Sequence, residues 1–381
     1  MVWWNTLRLK SNSPEVRSKA LERLDPARDA RSLELLLAGL GDEDAQVRCA
    51  AVKGLEPVKD DQSLIALTTA LQDPNSKVRE VAAAALGRVG DARAFPHLAG
   101  LLNDSHTGAR RAAAAALRSL GWKPSSNEEV ALFEVALGHT RAAALAGQAS
   151  VNALVTELKH DTSFQRRAAA EALANVQDSR TTLPLLAALN DADPTVRVSA
   201  VHALSKDTGR EVAAELQGLL RDPEPYVRLA AVEVLSKRID PSLAPDFLRL
   251  LADPSFEVRR SAVQFLGRLR DPETAQALLP LLADCDSDVR QAVAQGLGSI
   301  GQPATIEALV LALTDEECAV RHAAELALGR IDAHWASSEA ARRAIPQLQA
   351  SQMDRRGWVR SAAAQVLAKL QVAGAGRPVT D

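Results

Sequence analysis

One arginine recurs along this 381-residue chain at a nearly constant interval, and no other feature constrains the fold as strongly. The anchors are Arg17, Arg48, Arg79, Arg110, Arg166, Arg197, Arg228, Arg259, Arg290, Arg321 and Arg360. Eight of the ten spacings are 31 residues; the exceptions are 56, from Arg110 to Arg166, and 39, from Arg321 to Arg360. A fixed period of this size marks a stacked array, because each unit is too small to bury an apolar face alone. The length prior of two or three compact domains gives way to it.

Around each anchor the pattern reads as packing. Leu stands seven residues after it in all eleven units, Ala three after it in ten, and Val one before it in nine. These positions are four residues apart and form one helical stripe. Asp lies six before the anchor in nine units and Leu eight before it in ten, so an apolar helix ends, an Asp-containing turn follows, and a second helix begins near the anchor. An arginine and an aspartate at fixed register predict hydrogen-bonded ladders between the turns of adjacent units. Where the Asp is missing before Arg166, His160 takes its place, which reads as a local adjustment of the ladder.

Composition agrees. Ala (71) and Leu (54) make up about a third of the chain and head the helix-propensity scale, whereas only 12 residues are aromatic. Lys and Arg number 45 against 48 Asp and Glu, so no overall basicity points to nucleic acid. Cys49, Cys285 and Cys318 have no metal-type spacing and fit a reducing compartment, with the cytoplasm as the expected location. No stretch reads as a signal peptide or a membrane span.

Units such as Val89 to Asp104, followed by the Arg110 helix, resemble HEAT repeats of the short 31-residue type found in bacterial and archaeal proteins and in the phycobilisome-lyase-like group. The resemblance covers roughly residues 12–370. It implies an all-α fold, a right-handed α-solenoid (an armadillo-like superhelix) of about 11 or 12 stacked helix pairs, expected to form a curved rod about 100 Å long. Families of this architecture include scaffolds, bilin lyases, hydroxylases and DNA-repair proteins, so fold alone does not assign function.

The two irregular spacings locate two interruptions. Residues 122–146 read as a loop with Ser126 or Asn127 capping an additional amphipathic helix, either a packing irregularity or a partner-docking element, and are expected to split the solenoid into two arms. The expected organisation is repeats over 1–121, the inserted element over 122–146, repeats over 147–370 and a flexible tail over 371–381. Eight further residues are inserted around Ala333 to Ser338. Trp3 and Trp4 are expected to cover the open end of the first unit, and Trp122, Trp335 and Trp358 fall at the other irregular places.

Signs of chemistry are few. Gly296, Gly298 and Gly301 spell a dinucleotide-type fingerprint but fall at the end of a helix, where helix termination is the better account. Iron-dependent hydroxylases built from HEAT-like repeats use His-Glu pairs as metal ligands, and none of the seven histidines is followed by Glu. His322 and Glu325 come closest, without the further ligands a metal site needs. Cys49 follows its anchor directly, and no His or second Cys lies near it. The sequence therefore predicts no catalytic residues, no cofactor and no metal.

The working surface follows from helical geometry and from the resemblance, which places the second helices on the concave face. Positions one, five and nine after the anchor lie opposite the core stripe. They carry ten basic residues, Lys53, Arg88, Arg111, Arg167, Lys206, Lys237, Arg260, Arg268, Arg330 and Lys369, against the acidic Glu22, Glu80, Glu171 and Glu233. The cations at the ninth position also suit the negative ends of their helices. The reading favoured is a non-catalytic scaffold or adaptor whose concave face holds a partner protein with an acidic segment. A nucleic-acid-binding solenoid is the alternative, disfavoured by the near-neutral charge and the few aromatics, and a lyase-like accessory protein ranks lower.

Overall fold

The computed structural model describes residues 7–26 and 29–375, and among these all regular structure is helical. Trp3 and Trp4 lie outside the described residues. The chain divides into two compact units, Met1–Ala188 and Leu189–Asp381, so the element at 122–146 lies within the first unit.

In the first unit the helices are α1 (Pro14–Leu21), α2 (Ala30–Gly39), α3 (Ala45–Leu55), α4 (Asp61–Ala70), α5 (Ser76–Val89), α6 (Phe95–Gly100), α7 (Thr107–Ser119), α8 (Asn127–Ala136), α9 (Thr140–Ala144), α10 (Val151–Glu157), α11 (Ser163–Leu173) and α12 (Thr182–Ala188). The second unit holds α13 (Pro194–Ala203), α14 (Arg210–Gly218), α15 (Pro225–Ser236), α16 (Ala244–Leu250), α17 (Phe256–Leu269), α18 (Pro272–Leu278), α19 (Ser287–Ile300), α20 (Ile306–Ala312), α21 (Cys318–Ile331), α22 (Glu339–Arg343), α23 (Ile345–Ser351) and α24 (Gly357–Ala375). The anchor arginines sit on the second helix of each pair. In the first unit α1, α3, α5 and α7 pack in series, and α9 packs on α11; in the second unit α13, α15, α17, α19 and α21 do the same.

Packing follows the periodic stripe. The Leu seven after each anchor and the residue three after it are buried in every unit, each Leu stabilising the stack by about 1.5–3 kcal/mol. The largest fully buried side chains, Phe247 and Phe265, stack with ring centroids 3.9 Å apart inside the second unit. Consecutive second helices touch where the repeat carries glycine. A Cβ on Gly267 would lie 2.7 Å from Cα of Gly296, and one on Gly298 would lie 2.7 Å from Cα of Ala327. The fingerprint-like string is thus explained: Gly301, at φ 79°, ends α19 in the left-handed conformation, while Gly296 and Gly298 permit close helix approach.

In the regular units one aspartate bolts the turn and has three roles, as Asp253 shows. Asp253 accepts the Ser255 N–H at 2.9 Å through Oδ1, which orders the turn before α17. Both of its oxygens accept from Arg228 of the preceding unit, Nε and Nη2 at 2.7 Å each. Its carbonyl accepts Nη1 of Arg259, the anchor of its own unit, at 2.8 Å. The carboxylate bond therefore spans 25 residues to the preceding anchor, and the bond within a unit runs to the backbone. Bidentate rungs of this kind join Arg17 to Asp42, Arg48 to Asp73 and Arg79 to Asp104 in the first unit. Arg197 to Asp222, Arg228 to Asp253, Arg259 to Asp284 and Arg290 to Asp315 repeat them in the second. The Arg17 hydrogen bond, against the opposing effect of burial, holds the Asp42 carboxyl below its usual range.

The interruptions depart from this scheme differently. Residues 127–144 form a shortened helix pair, α8 and α9, with Ser126 as the cap of α8 through a bond from Glu129 N–H at 3.1 Å. Trp122 packs edge-on against Phe133 of α8, centroids 5.6 Å apart. At the second interruption Trp335 is buried in a turn that packs against both α21 and α24. Helix α24 continues to Ala375, so residues 371–375, expected as the start of a tail, are helical; the Leu370 they follow is still buried and holds the helix end in place.

Candidate functional site

None of the residues on the predicted stripe is buried, so the second helices do present it to solvent. The ten basic residues are not equally available. Arg88 pairs with Glu56, Arg167 with Glu171 at 3.5 Å, Arg260 with Asp288 at 3.3 Å and Lys369 with Glu325 at 2.6 Å. Arg268 donates to the Ser236 carbonyl at 2.9 Å. Lys53, Arg111, Lys206, Lys237 and Arg330 are exposed, with no hydrogen bond or ion pair to the described residues. Arg88, Arg268 and Arg330 sit in the last turns of their helices and Lys237 at the end of α15, where the helix dipole favours cations.

In the second unit three of the ten converge. Lys237, Arg260 and Arg268 line a cleft of about 670 Å³ over α15, α17 and α19, together with Gln264 and Gln295. Its floor includes Gly267 and Gly296, where α17 and α19 come closest, so no side chain fills the space above them. Arg260 Nε is shielded from solvent and has no hydrogen-bond partner, a donor left over after Nη1 meets Asp288. The one acidic wall residue, Glu233, faces three cations. Such a cleft offers guanidinium and ammonium donors for carboxylates and two amides that both donate and accept. Gln264 and Gln295 lie on the same stripe, at the fifth position after their anchors, but sequence reasoning singled out only the cations as site residues.

The first unit places Arg111 on a cleft of about 830 Å³ with Lys159, His106, His160, Glu80 and Asp161, beside the shortened helix pair. Arg110 also lines it, already engaged by Glu157, so Arg111 and Lys159 face Glu80 and Asp161. Lys53, Arg88 and Arg167 lie outside it, and Arg167 stacks over Phe164 at 5.4 Å.

No cluster of three or more potential metal ligands occurs among the described residues. Cys49 is half-buried rather than exposed, and burial pushes its thiol above its ordinary range, the reverse of activation for nucleophilic attack. No helix among the described residues is long and apolar enough to cross a membrane.

The sequence matches the HEAT repeats family over residues 5–77, 33–118, 66–154, 151–224, 212–294 and 275–368. The chain belongs to the HEAT-repeat family, an all-α solenoid fold commonly used as a protein-interaction scaffold. Among solved structures it is similar to importin beta, at 16% identity and a TM-score of 0.41 over 100% of this chain, and it spans 56% of that chain's length. An engineered protein matches at 22% identity and a TM-score of 0.29, covering 97% of this chain and 98% of that one. The Escherichia coli protein YibA matches at 17% identity and a TM-score of 0.36, covering 77% and 98%. No curated protein sequence matches the chain.

Proposed function

We propose that this protein is a non-catalytic cytoplasmic scaffold that holds a partner protein by an acidic segment on the face formed by its second helices. The cleft of the second unit is its anchoring point. The observation that carries this reading is the convergence of Lys237, Arg260 and Arg268 over a glycine floor, with Glu233 in the wall and an Arg260 Nε left without an acceptor after Nη1 meets Asp288. Across the second unit the stripe holds six basic residues, Lys206, Lys237, Arg260, Arg268, Arg330 and Lys369, against Glu233 alone. Oppositely charged surfaces steer association and select partners more than they add raw affinity, so binding is expected to weaken with salt.

The test is charge reversal at Lys237, Arg260 and Arg268 together. A fluorescent oligoglutamate peptide should lose at least tenfold in affinity, while circular dichroism stays helical, because the three side chains contribute nothing to the core. Undiminished binding by a folded triple variant would remove the cleft from the reading. Tight, salt-dependent binding of single-stranded DNA with no binding of the peptide would favour the nucleic-acid alternative.

A further inference from the structure

Arg17, Arg48, Arg79, Arg110, Arg197, Arg228, Arg259 and Arg290 each close a rung onto an acidic side chain of a following helix pair, and the second interruption leaves one open. Arg321 Nη1 donates to the carbonyls of Asp315 and Glu316 at 2.7 and 2.8 Å, as its equivalents do. Its Nε and Nη2, the edge that grips a carboxylate in the bidentate rungs, have no partner among the described residues. The residue that should fill it is displaced: eight inserted residues put Asp354 33 positions after Arg321 instead of 25. Asp354 instead accepts from Arg356, from its backbone N–H at 2.8 Å and from Nε at 3.0 Å.

Arg321 lines a cavity of about 240 Å³ between α21 and α24, with His322, Glu325, Gln365 and Lys369 among its neighbours, and Glu325 is engaged by Lys369. The wide separation of these helices shows at Gly329, where a Cβ would meet nothing within 4 Å, although Gly298 at the same register is in contact with Ala327. The turn at Trp335 packs against both helices, and a single ion pair, Lys369 to Glu325, joins them across the gap.

We infer that the open rung is a carboxylate-binding site: the Nε and Nη2 edge of Arg321 receives an aspartate or glutamate side chain of the partner, in the manner of the closed rungs. This rests on the reading that the second-helix face holds an acidic segment, and it adds a second contact point to the cleft. A planar guanidinium with one edge already fixed by two carbonyls is preorganised for a bidentate carboxylate, which costs little further ordering. Acidic turn residues beside Arg321 do not oppose this: Glu43 and Asp44 precede Arg48, and Glu224 precedes Arg228, in rungs that are closed.

The full chain, labelled with nitrogen-15, is titrated with a ten-residue oligoglutamate peptide and separately with inorganic phosphate at matched ionic strength, following the arginine Nε–Hε resonances. The Arg321 resonance is expected to move saturably with the peptide while those of Arg228, Arg259 and Arg290 stay fixed. Arg321→Gln should weaken the peptide roughly tenfold, the loss expected for a charge-assisted pair. Arg321→Lys, which keeps the charge and loses the fork, should not restore it. A stationary Arg321 resonance, unchanged affinity in Arg321→Gln, full activity of Arg321→Lys, or an equal response to phosphate would each overturn the inference. Peptide binding lost on charge reversal at Lys237, Arg260 and Arg268 but intact in Arg321→Gln would sink the rung and leave the scaffold reading standing. The opposite pattern would retain the rung and remove the cleft.

Discussion

The same repeat is interrupted twice, and the chain repairs one interruption and leaves the other open. After Arg110 the next aspartate is missing, yet Glu157 at the end of α10 reaches back to Arg110 Nη2, and both groups are buried. His160 meanwhile accepts the Thr162 N–H at 3.0 Å through Nδ1, and its carbonyl accepts Arg166 Nη1 at 2.9 Å. Two residues thus share the work done elsewhere by one aspartate. After Arg321 no substitute carboxylate arrives among the described residues. The rung is thus an element that the chain can rebuild with another residue or do without, while the helix pair persists. Where the rung is open, a buried tryptophan turn packs against both neighbouring second helices.

The largest effect is expected at the repaired interruption. Glu157→Ala leaves a buried guanidinium without its counter-ion and should cost about 3–5 kcal/mol in urea unfolding. A cost no larger than that of an exposed ion pair would break the comparison. Next come two glycines at one register. Gly298→Val drives a side chain into the Ala327 backbone and should cost about 1–3 kcal/mol. Gly329→Ala, beside the gap, should be neutral or stabilising by up to about 1 kcal/mol, since the helix gains a better former and nothing is displaced. Equal destabilisation by both would mean that α21 and α24 approach as closely as the regular pairs.

Acid should reveal the rungs collectively. The carboxyls of Asp42, Asp73, Asp104 and Asp284 lie below their ordinary values: burial pushes the last three up, and hydrogen bonds from Arg48, Arg79 and Arg259 outweigh it. A carboxyl depressed in the folded state contributes stability in full above its unfolded value, near pH 4, and loses it as pH falls through the folded value. Thermal melts should therefore be flat from pH 7 to about 5 and fall steeply below 4. A melting temperature insensitive to pH across that window would deny the rungs any stabilising role. The smallest effect is expected at Asp354, whose carboxyl is held at about 2 by Arg356. Asp354→Asn should leave the melting temperature unchanged at neutral pH, because this solvent-accessible pair closes no rung.

Much of this was legible in one dimension. A 31-residue period with Leu and Ala at fixed offsets leaves a stacked helix pair as the one arrangement that buries every stripe, and the ladder was implied by the paired Arg and Asp. Its direction was not, because the aspartate six residues before an anchor looks like that anchor's own partner. Only the stacking of turns brings the preceding arginine to its carboxylate, 25 residues away in sequence. The basic stripe was correctly placed on the solvent side, yet half of its charge proved to be engaged by Glu56, Glu171, Asp288, Glu325 and the Ser236 carbonyl. Arg88 and Arg268 both reach back 32 residues, but to a carboxylate in one unit and a carbonyl in the other, and the remaining partners share no offset, so residue identity alone did not reveal them.

The sequence by itself determined the helices, their pairing and the core, since these depend on local propensity and on the spacing of apolar residues. Tertiary structure decided which interruption was repaired, where clefts opened and which cations stayed free. Those outcomes depend on distances between side chains of different units, and a displacement of a few residues along the chain moves a carboxylate out of hydrogen-bonding range while leaving every helix intact.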